Sequence, residues 1–305
     1  MLQLQAACIE QANEGFAALG LQVGGVQLEG GSRLNGLVQA AQCGVVVFMR
    51  TSFDQRVHFT GQPMAGMAPF AVMSAGESWY HGDTSTGSDL CGFGDHCSSN
   101  TDTHWVGCMN VIYVPRDLLR FNLQQCGAVR AQQRLMSCNN VAFTGTDHGE
   151  FLRMHSKGLA GAISRESQVI DMLTLMLDAP VPFELVRESA EDLASLRAFV
   201  EGCRRHAKDG PASLSDIVGW EGVYLGKTQL NKLCQQRYGL PTKDYFKRWR
   251  LEEARCALTN AEVESIDEVR RIYGFNSRNQ FAADYLAVMG EKPSDTLKRG
   301  KQEAG

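Results

Sequence analysis

The apolar residues of this chain change their spacing once. From Leu21 to about Leu119 they fall in short alternating or β-branched runs, LQVGGVQL, GVVVFMRT, RVHFTG, FAVMSAG and VGCMNVIYV, separated by clusters of Gly, Asn, Ser and Asp. Alternation puts every second side chain on one face of a strand, and the clusters supply turns. From about Asp147 the apolar residues recur every three or four positions, the period of a helix with one buried face. A chain of 305 residues is long for one core. The change of period therefore predicts two domains: a β-rich one over 1–185, an antiparallel sandwich or barrel with flanking helices, and an all-α one over 186–305. Pro180 and Pro182, which neither continue a helix nor donate a backbone hydrogen bond, mark the linker.

Within the first domain, helical spacing of Leu4, Cys8, Ala12 and Phe16 predicts a helix over residues 4–18, and the Gly-, Ser-, Thr- and Asp-rich stretch 82–104 a long surface loop. The strand signals end near residue 119, and 147–178 is expected to be helical. In its last helix Val169, Ile170, Leu173, Met176 and Leu177 form an apolar stripe. Two readings stay open for it: packing on its own β domain, or a homodimer face built from Ile170, Leu173 and Leu177. Trp79, Tyr80, His81 and Trp105 are candidates for core packing or for the lining of a small-molecule pocket.

The residue types of Cys91, His96, Cys97 and His104 suit zinc, but their spacing matches no standard site and the chain has no H-x-H. No metal, no cofactor and no catalytic constellation is assigned; an enzyme resting on His81 or Cys91 would lack partners for either. The longest nearly uncharged apolar run, Leu37 to Met49, is too short for a bilayer, which needs about 20 residues. The amino terminus has no basic region ahead of its apolar residues. With ten cysteines and no C-x-x-C pair, reduced thiols and a cytoplasmic location, without membrane contact, are expected.

A net charge of −4 looks unsuited to a nucleic-acid partner until it is divided along the chain. Residues 1–185 hold 10 Lys and Arg against 16 Asp and Glu, 186–305 hold 20 against 18, and 227–255 hold 8 against 3. A basic stretch within an acidic protein is the footprint of a region that meets phosphates. That stretch lies in a pair of helical patterns. Ser213 to Gly239 gives a helix to about Gly219, a Gly-containing turn and a second helix to Tyr238. The second helix buries Leu230, Leu233 and Cys234 and turns Thr228, Asn231, Lys232 and Gln235 outward, a face without an acid. Amides, hydroxyls and cations are the groups that pair with base edges and phosphates in a major groove.

Ser265 to Gly290 repeats the plan. Ser265 and Glu268 predict a capping box, Ile266, Val269 and Ile272 a buried stripe, Gly274 a left-handed helix stop, and Ser277 a cap for the next helix. That helix should bury Phe281, Tyr285 and Val288 and present Arg278, Asn279, Gln280, Ala282 and Ala283. A continuous helix from about Thr242 to Leu258, carrying Lys243, Lys247, Arg248, Arg250 and Arg255, should join the two pairs.

Tyr245 to Arg255, with the pattern Y-x-x-x-x-R-L-x-x-A, resembles the linker-helix signature of the AraC/XylS regulators. Ile272 to Phe281, followed by Gly290 and Pro293, resembles that family's G-F-x-S-x-x-x-F…G-x-x-P signature. The ending QFAADYLAVMGEKPSDTL is similar to the ethanolamine-utilisation and virulence-regulator branch. The resemblance covers about 190–299. It implies a jelly-roll-like amino-terminal domain and a dimeric transcription activator that binds promoter DNA, answers to an unknown small-molecule effector and contacts RNA polymerase. It places base readers at Thr228, Asn231 and Lys232, and at Arg278, Asn279, Gln280 and Ala283. Lys227, Lys247 and Arg248 are expected on phosphates. The chain departs from the pattern in a first turn about two residues longer, in Gly226 where a capping Ser is usual, in Pro241 one place early, and in Ala283, Leu286 and Ala287 where basic residues are usual. The weak basic content of that last helix favours an alternative, an adaptor that regulates through protein contacts with RNA polymerase or another factor.

Overall fold

The computed structural model describes the chain apart from residues 81–82, 86–88, 93–100, 138–139, 144–145, 181–189 and 305. The chain forms two compact units, Met1–Gly25 with Asn35–Arg187, and Val26–Leu34 with Glu188–Gly305. Residues 26–34 thus fall with the carboxy-terminal unit, although a division at residue 185 places them in the other.

The first unit is built on an antiparallel sheet. Its strands are β1 (Leu2–Ala6), β2 (Gln22–Gln27), β3 (Gly36–Cys43), β4 (Val46–Gln62), β5 (Met67–Tyr80), β6 (Asp83–Ser85), β7 (Asp89–Cys91), β8 (Thr101–Pro115) and β9 (Asn140–Ala142). The ladder runs β1-β3-β4-β8-β5-β7-β9, with β2 on β4 and β6 on β5. Its two ends do not pair among the described residues, so the sheet is open and is not the barrel that the strand texture suggests. The long strands β4 and β5 each carry a bulge opposite β8, between Phe53 and Val57 and between Met73 and Ala75. An extra residue at such a point bends the strand.

The expected helix over 4–18 starts later. Residues 2–6 are β1, with Leu4 opposite Val38, and α1 covers Ile9–Ala17. The Leu-Gln-Leu-Gln alternation is a strand signal that the helical spacing of Leu4, Cys8, Ala12 and Phe16 overlays. Within the loop expected over 82–104, β6 and β7 form short strands.

Period-two alternation separates two cores. On β5 and β8, Ala68, Phe70, Val72, Ile112 and Val114 pack with the helices α2 (Arg116–Gln125), α3 (Val129–Ser137), α4 (Asp147–Leu159) and α5 (Ser167–Asp178). Their neighbours Pro69, Ala71, Val111 and Tyr113 line a cavity on the other face, with Phe16, Phe59 and Trp105. The Trp105 ring lies 5.5 Å from Phe53 and 5.2 Å from Phe59, and Phe16 meets Phe59 edge-on at 5.0 Å. The empty space of the cavity, counting the part open to solvent, is about 470 Å³.

The α5 stripe resolves towards its own core. Ile170, Leu173 and Leu177 are 5%, 0% and 0% exposed within the chain, buried against α2, α3 and the sheet. They are therefore not available as the dimer face expected of them; Leu175, 74% exposed, is on the open side of the helix. The carboxy end of α5 is tied to α3: Arg130 Nε donates to the Asp178 carbonyl at 2.9 Å, Asp178 Oδ1 accepts from the Ala131 amide at 3.1 Å, and Arg134 donates to the Leu177 carbonyl.

Of the four residues whose types suit zinc, Cys91 and His104 are described. Cys91 is buried with its Sγ on the Ala71 carbonyl at 3.3 Å, and His104 faces His58 at 6.3 Å. His96, Cys97 and His81 lie outside the described residues, as do the side chains of Trp79 and Tyr80. Among the described residues no three His, Cys, Asp or Glu side chains are grouped to hold a metal, no cysteine is in a disulfide, and no helix is long and apolar enough to cross a membrane.

Candidate nucleic-acid interface

The second unit is helical, with α6 (Ala190–Arg205), α7 (Leu214–Ile217), α8 (Lys227–Tyr238), α9 (Thr242–Thr259), α10 (Ile266–Ile272), α11 (Arg278–Met289) and α12 (Pro293–Ala304). Helix α9 serves two cores in turn. Its first half sends Tyr245, Phe246 and Trp249 among Leu196, Phe199, Ile217, Leu230 and Cys234. Its second half sends Leu251, Ala254, Ala257 and Leu258 among Val269, Phe275, Phe281 and Tyr285. One unbroken helix therefore carries the α7–α8 pair at one end and the α10–α11 pair at the other.

The caps follow the residues that predict them. Ser213 Oγ accepts from the Asp216 amide at 3.2 Å while Asp216 Oδ2 accepts from the Ser213 amide at 2.7 Å, a full capping box. Ser265 Oγ accepts from the Glu268 amide at 3.2 Å, but the Glu268 carboxylate reaches the amide of Glu264. Ser277 caps α11 through the Gln280 amide, and Gly274 ends α10 at φ +66°, a conformation that costs a side chain about 1–2 kcal/mol. Ile272 corrects the expected stripe: it is 41% exposed, and the buried Tyr273 closes that core instead.

Both signatures turn out to be packing. Tyr245, Leu251 and Ala254 are fully buried, and Arg250 donates from Nε and Nη2 to the Tyr273 carbonyl at 2.9 and 2.5 Å. Its guanidinium lies 4.3 Å from the Phe275 ring centre, and burial brings its pKa down to about 10. Arg255 is buried against Glu252, Nη2 to Oε2 2.9 Å. These two arginines, part of the basic stretch in the sequence, hold α9 to the second pair and do not face outward.

The outward face of α8 is as its period requires. Lys227, Thr228, Lys232 and Gln235 are exposed, with Lys227 Nζ on Ser215 Oγ at 2.7 Å and Gln235 on the Gly239 carbonyl at 3.0 Å. On α11, Arg278, Asn279 and Gln280 are exposed, Arg278 near Asp267 at 3.4 Å and Gln280 donating to Asp284 at 3.0 Å. Lys227 and Thr228 on α8 and Arg278, Asn279 and Gln280 on α11 occupy the first turns of their helices, whose amino-terminal dipole ends favour an anion; Lys232 and Gln235 follow in later turns of α8. The Arg278 contact is solvent-exposed and worth less than about 1 kcal/mol, so a phosphate can displace it.

Three expected contacts are otherwise engaged. Arg248 donates from Nη1 to the Glu29 carbonyl at 3.1 Å, and burial lowers its pKa. Lys247 sits 3.7 Å from both Asp244 and Asp284, tying α9 to α11. Asn231 is half-buried, and its Oδ1 accepts from the Thr242 amide at 3.0 Å, capping α9. Residue type alone did not distinguish a base reader from a cap; an Asn eleven positions before the first turn of the next helix is the signal that was available. Asn231→Ala is expected to lower stability by about 1 kcal/mol, the usual value of a lost cap, and Asn231→Asp to retain it, as measured by urea unfolding. A loss common to neither or both variants would remove the capping role.

Residues 221–299 match the family described as a helix-turn-helix domain. Over 85 residues the chain is 38% identical to the XylDLEGF operon transcriptional activator of Pseudomonas putida, which is 27% of this chain and 26% of that protein. Over 130 residues it is 38% identical to XylDLEGF operon transcriptional activator 3 of the same organism, 42% of this chain and 38% of that one. The chain thus spans about a quarter to two-fifths of the length of these relatives. Among solved structures, the AraC-like transcriptional activator CuxR is 14% identical and aligns over 84% of this chain and 95% of its own, with a TM-score of 0.44. Residues 221–299 thus carry a helix-turn-helix domain, and the two signatures in and beside it resemble those of the AraC/XylS transcriptional regulators.

Proposed function

We propose that this protein is a sequence-specific activator of transcription that grips promoter DNA through α8 and α11. The observation that carries this reading is the pair of exposed faces, Lys227, Thr228 and Lys232 on one helix and Arg278, Asn279 and Gln280 on the other, mounted on a single rigid helix. Such helices fit successive major-groove segments about 34 Å apart. Phosphate contacts by the lysines supply most of the affinity and make it fall with salt; Thr228, Lys232, Asn279 and Gln280 read bases. The activating sign follows the two XylDLEGF relatives. A homodimer and contact with RNA polymerase complete the reading.

The first unit is the regulatory one in this reading. Its cavity, walled by Phe16, Met49, Phe59, Trp105 and Tyr113, suits a small and largely apolar effector.

Selection of bound sequences from a random duplex pool by the full-length protein tests the reading. An enriched motif with two half-elements about one turn apart is expected, present as two copies if the protein binds as a dimer. Lys227→Ala should lower the slope of log affinity against log salt by about 0.9. Absence of any enriched sequence at low salt would overturn DNA recognition in favour of an adaptor acting through protein contacts.

A further inference from the structure

Residues 26–34 come from the amino-terminal part of the sequence but are built into the helix-turn-helix unit. Val26 and Leu28 are 0% and 4% exposed, buried in the core that holds Phe199, Leu230 and Trp249. Between them the buried Gln27 donates from Nε2 to the carbonyl of Val288, in the last turn of α11, at 3.3 Å. The next carbonyl along, that of Glu29, takes the Arg248 guanidinium of α9. A Cβ on Gly30 would stand 2.4 Å from the Ala287 carbonyl, and one on Gly290 would stand 2.3 Å from the backbone of Ser32. The strap therefore touches the core of the first helix pair, the joining helix, and the end of the second recognition helix.

We infer that residues 26–34 are a positioning element for DNA recognition: they fix α11 relative to α8, and so set the spacing of half-elements that the protein accepts. This rests on the DNA-binding reading above. The contacts have the required character. Side chains at 26 and 28 anchor the strap in one helix pair, and a buried amide and two close backbone approaches anchor it to the other; a strap fixed at both ends limits rotation about α9 between them.

The test uses full-length protein with three duplexes taken from the selected motif: one with both half-elements, and one with each alone. Gln27→Ala and Gly30→Ala are expected to weaken binding to the two-element duplex by about tenfold or more, the scale of a lost buried hydrogen bond, and each single-element duplex by less than about threefold. The variants should also accept altered spacings that the unmodified protein rejects. Equal losses on all three duplexes, or none, would overturn the inference. Wild-type failure on every duplex would instead overturn the DNA-binding reading. Should a variant not fold, hydrogen exchange on the unmodified protein decides the matter: amides of 26–34 should gain protection with the two-element duplex more than with either half, and unchanged exchange would overturn the strap's role.

Discussion

Glu252→Ala should cost the helix-turn-helix unit about 3–5 kcal/mol, the usual penalty for removing one partner of a buried ion pair. Glu252 and Arg255 lie one turn apart on α9 with side chains 4% and 5% exposed, and Oε2 receives both Nε at 3.0 Å and Nη2 at 2.9 Å. Without the carboxylate, the buried guanidinium loses both of these contacts. A domain has only about 5–15 kcal/mol in hand, so the loss removes much of it. Urea unfolding followed by the fluorescence of Trp220 and Trp249, both in this unit, measures the change. The double replacement Glu252→Met with Arg255→Met is expected to recover most of it, because apolar groups of similar volume carry no desolvation penalty. A single-variant loss below about 1 kcal/mol, the value of a surface pair, would show that water reaches the site.

The same helix shows how much of this protein was legible in its sequence. Tyr245, Arg250, Leu251 and Ala254 announce a joining helix because its packing repeats at a fixed short period, and Gly274, Ser277 and Phe281 announce a turn and a cap because both are local devices. What the sequence left ambiguous was direction. Arg248, Arg250 and Arg255 are cations of one stretch, yet one meets a strap carbonyl, one a helix-end carbonyl and one a buried carboxylate. Each partner lies elsewhere in the chain or one turn away, and side-chain type does not specify it. The strap is the extreme case, since the Gln27 contact with Val288 spans 261 positions. In the first unit, α2 and α3 follow the last long strand where apolar spacing is diluted by Arg and Gln, and β1 is only five residues long. Closure of the sheet depends on pairing between its ends, which no local pattern encodes.

Acid should unfold the first unit earlier than its carboxylates alone require, through His155. This residue is buried on α4, with Nε2 2.9 Å from the Met49 carbonyl; a carbonyl only accepts, so Nε2 carries the proton and Nδ1 stays bare. Protonating Nδ1 would place a cation among Phe48 and Phe151. Burial, only partly offset by the Met49 hydrogen bond and reinforced by the Arg50 charge, lowers the pKa from 6.5 to about 4. Above pH 6.5 the imidazole is neutral in both folded and unfolded chains, and the full stability is present. Between 6.5 and 4 the unfolded chain binds a proton that the folded one refuses, so stability falls with pH by about 3 kcal/mol over that window. Below 4 both states are protonated and this contribution levels off. His155→Gln, whose amide can still donate to the Met49 carbonyl, removes the titration. The difference between the two proteins in unfolding free energy, measured from pH 7.5 to 4.5, isolates His155 from the carboxylates common to both. A constant difference across that range would mean that the imidazole titrates in the folded protein as it does in water.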